Sequence, residues 1–396
     1  KTEEAILAYR SISRTSNARF FEEAWFRVGN IYKLSERPDE MRTHYERFIA
    51  ENPESNRIAE AVYWVGVTHT QAGRQEEARQ AYWDAVTAYG DRAEARAVED
   101  IFVAMAKVYP GEEGRADLTV KLDEVVSANR ERHPVLALRA LWAKALMLRK
   151  KDPAASQALL LEALPLVKAK STSPRIIADC ADALRETGKL AEARALYVEL
   201  RKWHPRAMEK DRAFLGLGLI AVAENQPDEA LKSLARFEKE TLGSPLVSTV
   251  AGIKGDLLVG KRKFDEAKAE YERILEMPYA ARQVKAQTLL KLGDLLVKQK
   301  QDLKSAAYFE RVYVSYGKYL PEVAQAYWKR GQALDRLGMA DKALEVYREL
   351  GLRTELAALP EAQQAVQLLN KRSPDWRLTP STTEPAAKPP AAKPTT

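Results

Sequence analysis

Residues 22–53 read EEAWFRVGNIYKLSERPDEMRTHYERFIAENP, and residues 59–90 read AEAVYWVGVTHTQAGRQEEARQAYWDAVTAYG. Both stretches carry a bulky side chain, a glycine four residues on and a ring three further on. Both then carry an aromatic sixteen residues after the glycine. The frame returns near 99, 138, 174, 211, 248, 286 and 324, at steps of 36 to 40 residues. That makes nine units, with a half-unit ahead of them whose Ala5, Tyr9 and Ile12 take second-helix positions. Self-similarity at such a period marks stacked supersecondary units, each burying a face against its neighbours.

Each unit reads as helix, turn, helix. In the unit at 211, Phe214, Leu217, Gly218 and Ala221 fall on one helical face, and Ala230, Leu234 and Phe237 do the same further on. Between them Pro227, Asp228 and Glu229 suit a helix start. Gly73, Gly188 and Gly338 mark turns elsewhere, and Gly260 is expected to do so too. Pro53 and Pro205 close second helices.

The eighth position of every unit is small: Gly29, Gly66, Ala106, Ala145, Ala181, Gly218, Gly255, Gly293 and Gly331. Glycine costs a helix interior about 1 kcal/mol against alanine, so its recurrence implies close approach of a neighbour. Tyr45, Tyr82, Leu122, Leu161, Tyr197, Leu234, Tyr271, Phe309 and Tyr347 fill the gap that follows.

Composition agrees with this architecture and narrows the function. The chain has 396 residues, 46% hydrophobic, and a net charge of +7. One cysteine, Cys180, excludes a disulfide framework or a cysteine-built zinc site. No apolar run is long enough for a transmembrane helix, and no period-two alternation supports strands. Residues 51–100 hold five basic and ten acidic residues, residues 251–300 eleven and seven. Such mixed blocks read as solvated helix faces and not as a nucleic-acid stripe. The chain opens on KTEEAILAYRSI, a helix in mid-pattern with no signal peptide, and so reads as a fragment or processed chain. Residues 1–372 form the repeat array, ending in a capping helix. Residues 373–396, with six Pro, five Thr and four Ala, are expected to be a disordered tail.

No catalytic constellation is visible. GDLLVGKR (255–262) nearly spells a phosphate loop, but Arg262 stands where a hydroxyl belongs and no strand precedes it. His44, His69, His133 and His204 are scattered, without metal-ligand spacing. Cys180 sits in an apolar slot, where a thiol behaves as a small hydrophobe. The expectation is therefore no enzyme, no cofactor and no metal.

What remains is a surface. The fifth and ninth residues of each unit are expected to face away from the second helix, into a groove. Phe26, Tyr63, Trp142, Leu215 and Trp328 take the fifth position, Asn30 and Gln332 the ninth. Aromatics exposed there can anchor a partner peptide, each contributing about 2 kcal/mol or more. Alternatively they wedge neighbouring first helices together. Trp142 and Trp328 stand out, with Lys150 and Arg336 nearby.

AWFRVGNIY (24–32), GKLAEARALYVELRKWHP (188–205) and GMADKALEVYREL (338–350) resemble the tetratricopeptide repeat family in its first-helix signature, turn and second helix. The resemblance covers about residues 1–370. It implies an all-α, right-handed superhelical solenoid whose first helices line a concave groove. The unit at 99 departs from it with the loop PGEEGRADL, and Lys144, Lys254 and Arg330 replace the usual apolar seventh residue. The long period resembles repeats of bacterial envelope proteins. A chaperone-tail carboxylate clamp is not expected, since Phe26 stands where that clamp has Lys. The resemblance implies a non-catalytic scaffold for protein or peptide partners in a bacterial envelope or multiprotein assembly, with periplasm favoured over cytoplasm. No nucleic acid is expected, and membrane contact only through upstream sequence. The alternatives are a regulatory arm of a larger enzyme or transcription regulator, and lastly a helical-repeat nucleic-acid binder.

Overall fold

A computed structural model describes residues 1–241 and 243–377, apart from the side chains of residues 16, 18 and 19. The described residues form twenty α-helices and no strand. They divide into two compact bodies, residues 1–226 and residues 227–377.

The first body holds α1 (Thr2–Arg10), α2 (Arg14–Leu34), α3 (Pro38–Glu51), α4 (Ile58–Gln71), α5 (Gln75–Tyr89), α6 (Ala97–Val108), α7 (Gly111–Asn129), α8 (Pro134–Leu148), α9 (Pro153–Ala163), α10 (Pro174–Glu186), α11 (Leu190–Trp203) and α12 (Lys210–Ala223). The second holds α13 (Pro227–Glu240), α14 (Val247–Gly260), α15 (Phe264–Glu276), α16 (Arg282–Lys298), α17 (Asp302–Ser315), α18 (Leu320–Arg336), α19 (Ala340–Leu352) and α20 (Pro360–Arg372). The even-numbered helices from α2 to α18 are the first helices of the repeats. The odd-numbered helices from α3 to α19 are the second.

Local sequence explains the starts. Proline opens α3, α8, α9, α10 and α20, where its missing N–H costs nothing. Asp152 caps α9 by accepting from the Ala155 N–H at 3.0 Å. Asn17 breaks α2 with φ −158°, and its side chain accepts from the Phe20 N–H, so the helix restarts there.

The small position is what the packing turns on. A Cβ on Gly29 would overlap the Tyr45 ring, and one on Gly66 the Tyr82 ring. Gly255 meets Tyr271 in this way, Gly293 meets Phe309 and Gly331 meets Tyr347. All these rings are buried. Each pair lies sixteen residues apart, so one contact closes each helical hairpin on itself. The charged residues at the seventh position have partners on second helices. Lys144 pairs with Asp123 on α7, Lys254 with Glu238 and Glu270, and Arg330 with Glu310 at 3.0 Å.

Four expectations are corrected. In the third unit Ala106 is exposed and Met105 is buried, so the frame begins one residue earlier than 99 and its small position is not small. In α1 the buried residue is Ile6, and Ile12 lies beyond the helix end, because Ser11 already caps it. Gly260 is the last residue of α14, and the left-handed turn residue is Arg262, with φ 58°. The tail does not begin at 373. Trp376 is 2% exposed, packs in the cluster around Leu350 and Leu369, and donates to Asn370 at 2.8 Å. The rest of the expected disordered tail, residues 378–396, lies outside the described residues.

Candidate binding face

The expected anchors are mostly packing residues. Trp142 is 1% exposed. Its indole donates to Asp179 at 2.7 Å, and Arg175 stands over the ring at 5.2 Å. It is buried because α10 carries Asp179 and Arg175 to it from the following repeat. Burial works to raise the Asp179 pKa, but Arg212 and Arg149 outweigh it and hold the carboxyl below its usual range. Beside it, Glu99 and Arg139 are both 2% exposed and lie 3.6 Å apart, with Ser173 donating to Glu99 at 2.6 Å. α6, α8 and α10 are thus tied together where an open wall was expected.

Phe26 is also buried, between Tyr45 and Phe48, under the Arg57 guanidinium at 3.5 Å. Tyr63 is half-buried and meets Trp64 edge-on, with centroids 4.9 Å apart. Leu215 and Gln332 are half-buried. Trp328 is half-buried, tilted over Tyr347 at 5.1 Å. Asn30 is exposed.

The ninth position is largely consumed by the chain itself. Lys291 pairs with Asp256 at 2.6 Å, and Lys329 with Asp294 at 2.6 Å, each cation coming from the next repeat. Tyrosine tips join in from the second helices. Tyr271 donates to Asp256 at 2.7 Å, and Tyr197 donates to Asp182, which also takes Arg212 at 2.5 Å. At the twelfth position Asp335 accepts from Tyr347 at 3.1 Å and from Arg372 at 2.9 Å. Carboxylates at these positions are ties between helices and repeats.

The first repeat is different. Phe26 and Asn30 line one pocket of about 220 Å³ with Arg27, Lys33, Tyr45, Glu23, Glu60 and Trp64. Here the ninth and twelfth positions hold Asn30 and Lys33, and no hydrogen bond joins either to Tyr45. Lys33 stands over the Trp64 ring at 4.5 Å. Tyr45, Lys33 and Trp64 were not among the expected site residues. A position-by-position comparison of repeats reveals them, since only here does a tyrosine at position 24 meet Asn at 9 and Lys at 12.

Cys180 is buried, its thiol close to the Leu160 carbonyl at 3.6 Å, and burial pushes its pKa up to about 12. Among the described residues no group of three or more His, Cys, Asp or Glu is placed to hold a metal. No described helix is long and apolar enough to cross a membrane.

Repeated helical hairpins, each closed by a ring over a small residue, define an all-α helical-repeat protein. A family model described as Tetratricopeptide repeat matches residues 29–93 and 290–354, and one described as Tetratricopeptide repeat-like domain matches residues 178–297. Together they span more than half of the sequence, and the chain is a tetratricopeptide repeat protein. No curated protein matches it. Among solved structures, the human IFIT1 dimer with m7Gppp-AAAA is 14% identical, with TM-score 0.50, covering 92% of this chain and 85% of that one. Pseudomonas aeruginosa pilF is 17% identical, with TM-score 0.39, covering 66% and 93%. YrrB, a TPR protein with an unusual peptide-binding site, is 16% identical, with TM-score 0.36, covering 54% and 97%. At these identities the likeness is one of fold. Proteins of the family generally mediate protein–protein interaction and are typically non-catalytic scaffolds.

Proposed function

We propose that the chain is a non-catalytic scaffold that holds a segment of a partner protein against the first repeat, within a bacterial envelope or other multiprotein assembly. One observation carries the site. In other repeats the ninth- and twelfth-position carboxylates are paired within the chain, whereas Asn30, Lys33 and the Tyr45 hydroxyl converge on a pocket without hydrogen-bonding or ion-pair partners among the described residues. Groups left solvated and unpaired are those a partner can engage without first breaking an internal tie. The envelope setting is supported by the long repeat period alone.

The test is binding of a partner captured by the intact chain, with its contact region mapped by cross-linking and mass spectrometry. Asn30→Ala combined with Lys33→Glu is expected to weaken binding about thirtyfold, as loss of about 2 kcal/mol implies. Trp328→Ala is expected to leave it unchanged. Cross-links confined to the second body, with binding indifferent to the double substitution, would overturn this assignment.

A further inference from the structure

Tyr45 is 2% exposed, and its ring lies across Gly29 so that the hydroxyl sits on the pocket wall. Among the described residues that hydroxyl has no hydrogen-bond partner. Three of its counterparts do: Tyr197, Tyr271 and Tyr347 each donate to an aspartate of their own repeat. In three repeats, then, the tyrosine at this position is satisfied by a carboxylate that the chain supplies. In the first repeat the chain supplies none, yet the tyrosine is kept. A hydroxyl on the pocket wall that the chain leaves unengaged can take an acceptor from outside without breaking an internal bond.

The charges around it specify that acceptor. Glu23 is paired with Arg27 at 2.7 Å and with Arg57 at 3.2 Å, and Glu60 is paired with Arg57 at 2.9 Å. Both acidic groups of the pocket are matched. Lys33 is the lining cation without a carboxylate, resting on the Trp64 ring. Asn30 adds an unengaged amide. Three donors therefore face one cavity of about 220 Å³, several times the ~30 Å³ that one water takes up in the liquid.

We propose that this pocket receives a carboxylate from the partner polypeptide, an Asp or Glu side chain, bound by the Tyr45 hydroxyl, the Lys33 ammonium and the Asn30 amide. The partner's carboxylate takes the place that Asp182, Asp256 and Asp335 hold in other repeats. A charge-assisted bond to Lys33 offsets the desolvation of the incoming group, which a neutral side chain would not need. The inference rests on the scaffold reading above and names the chemistry of its ligand.

The probes are the peptide Gly-Ser-Glu-Ser-Gly, its Gln counterpart and sodium acetate, titrated into the intact chain. The readout is the NMR shift of the Trp64 indole, assigned with Trp64→Phe. The Glu peptide is expected to shift it saturably, with the Gln peptide and acetate each at least fivefold weaker. Tyr45→Phe and Lys33→Gln are each expected to weaken the Glu peptide at least fivefold. Phe309 already fills this position over Gly293, so the fold tolerates Tyr45→Phe. Equal response to the Gln peptide, or undiminished affinity in Tyr45→Phe, overturns the inference. Acetate binding as tightly as the Glu peptide overturns its assignment to a partner polypeptide. Partner binding that falls with Asn30→Ala and Lys33→Glu but survives Tyr45→Phe overturns it while leaving the scaffold reading in place.

Discussion

Glu36, Asn225, Arg262 and Lys300 all adopt φ between 54° and 58°. They stand at the same place in their repeats as Gly73, Gly188 and Gly338, whose φ is also positive. A non-glycine residue costs about 1–2 kcal/mol in this conformation, part of which glycine would forfeit to unfolded-chain entropy. Lys300→Gly should therefore stabilise the second body by about 0.5–1 kcal/mol in chemical denaturation. Gly255 behaves oppositely. Helix propensity alone would reward Gly255→Ala with about 1 kcal/mol. The new Cβ, however, overlaps the Tyr271 ring, and overpacking should leave a net loss of about 1–3 kcal/mol. The glycine and its ring were legible because their spacing repeats along the chain. The burial of Trp142 was not, because its partners Arg175 and Asp179 belong to the next repeat and nothing in the local pattern announces them. Trp142→Ala should accordingly cost about 3–5 kcal/mol, the range for a fully buried ring, read as a lowered unfolding midpoint. A midpoint shift under about 1 kcal/mol would restore Trp142 as an exposed anchor.

Helical hairpins are the units in which damage should spread. Tyr197 fills the gap between α10 and α11 and also lies against Gly216 of α12. Tyr197→Ala should cost about 3–5 kcal/mol, and repeat arrays couple chiefly through neighbours. Hydrogen exchange should show lost protection concentrated over α10 to α12, and uniform loss through the first body would contradict nearest-neighbour coupling. The first hairpin carries a pH dependence as well. His44 stacks on Trp25 at 4.7 Å and its Nε2 bonds the Trp25 carbonyl at 2.8 Å. Burial lowers its pKa, with Arg10 and Arg47 contributing, against the opposing effect of that hydrogen bond. The unfolded chain then binds a proton near pH 6.5 that the folded chain refuses, so stability falls as pH drops through that value. Protection of α2 and α3 should decrease from pH 7.5 to pH 5.5, and His44→Phe should flatten that dependence. Sequence reading placed these hairpins well where Gly73, Gly188 or Gly338 marked the turn. It slipped by one residue in the third unit, where Met105 replaces the small residue and α7 is long, because the signal that sets the frame is missing there.

Across the chain the same few positions do two jobs. Positions 9 and 12 tie repeats together through Asp182, Asp256, Asp294 and Asp335, and in the first repeat the equivalent groups are left to face a pocket. Side-chain pairing of this kind is not visible in periodicity, which is why Asn30 was found from the sequence while Tyr45 was read only as filler. The central claim is that the tyrosine hydroxyl is internally satisfied in Tyr197, Tyr271 and Tyr347 and unsatisfied in Tyr45. It is tested most directly by the four Tyr→Phe substitutions, each followed by native-state hydrogen exchange of its own hairpin. Tyr197→Phe and Tyr347→Phe should each destabilise by about 1–3 kcal/mol, because half-buried Asp182 and Asp335 lose a donor, and Tyr271→Phe by about 0.5–1.5 kcal/mol, because its acceptor Asp256 is exposed. Tyr45→Phe should leave stability unchanged or raise it. A loss at Tyr45 equal to the other three would show that its hydroxyl is already bonded within the chain, and would contradict the claim.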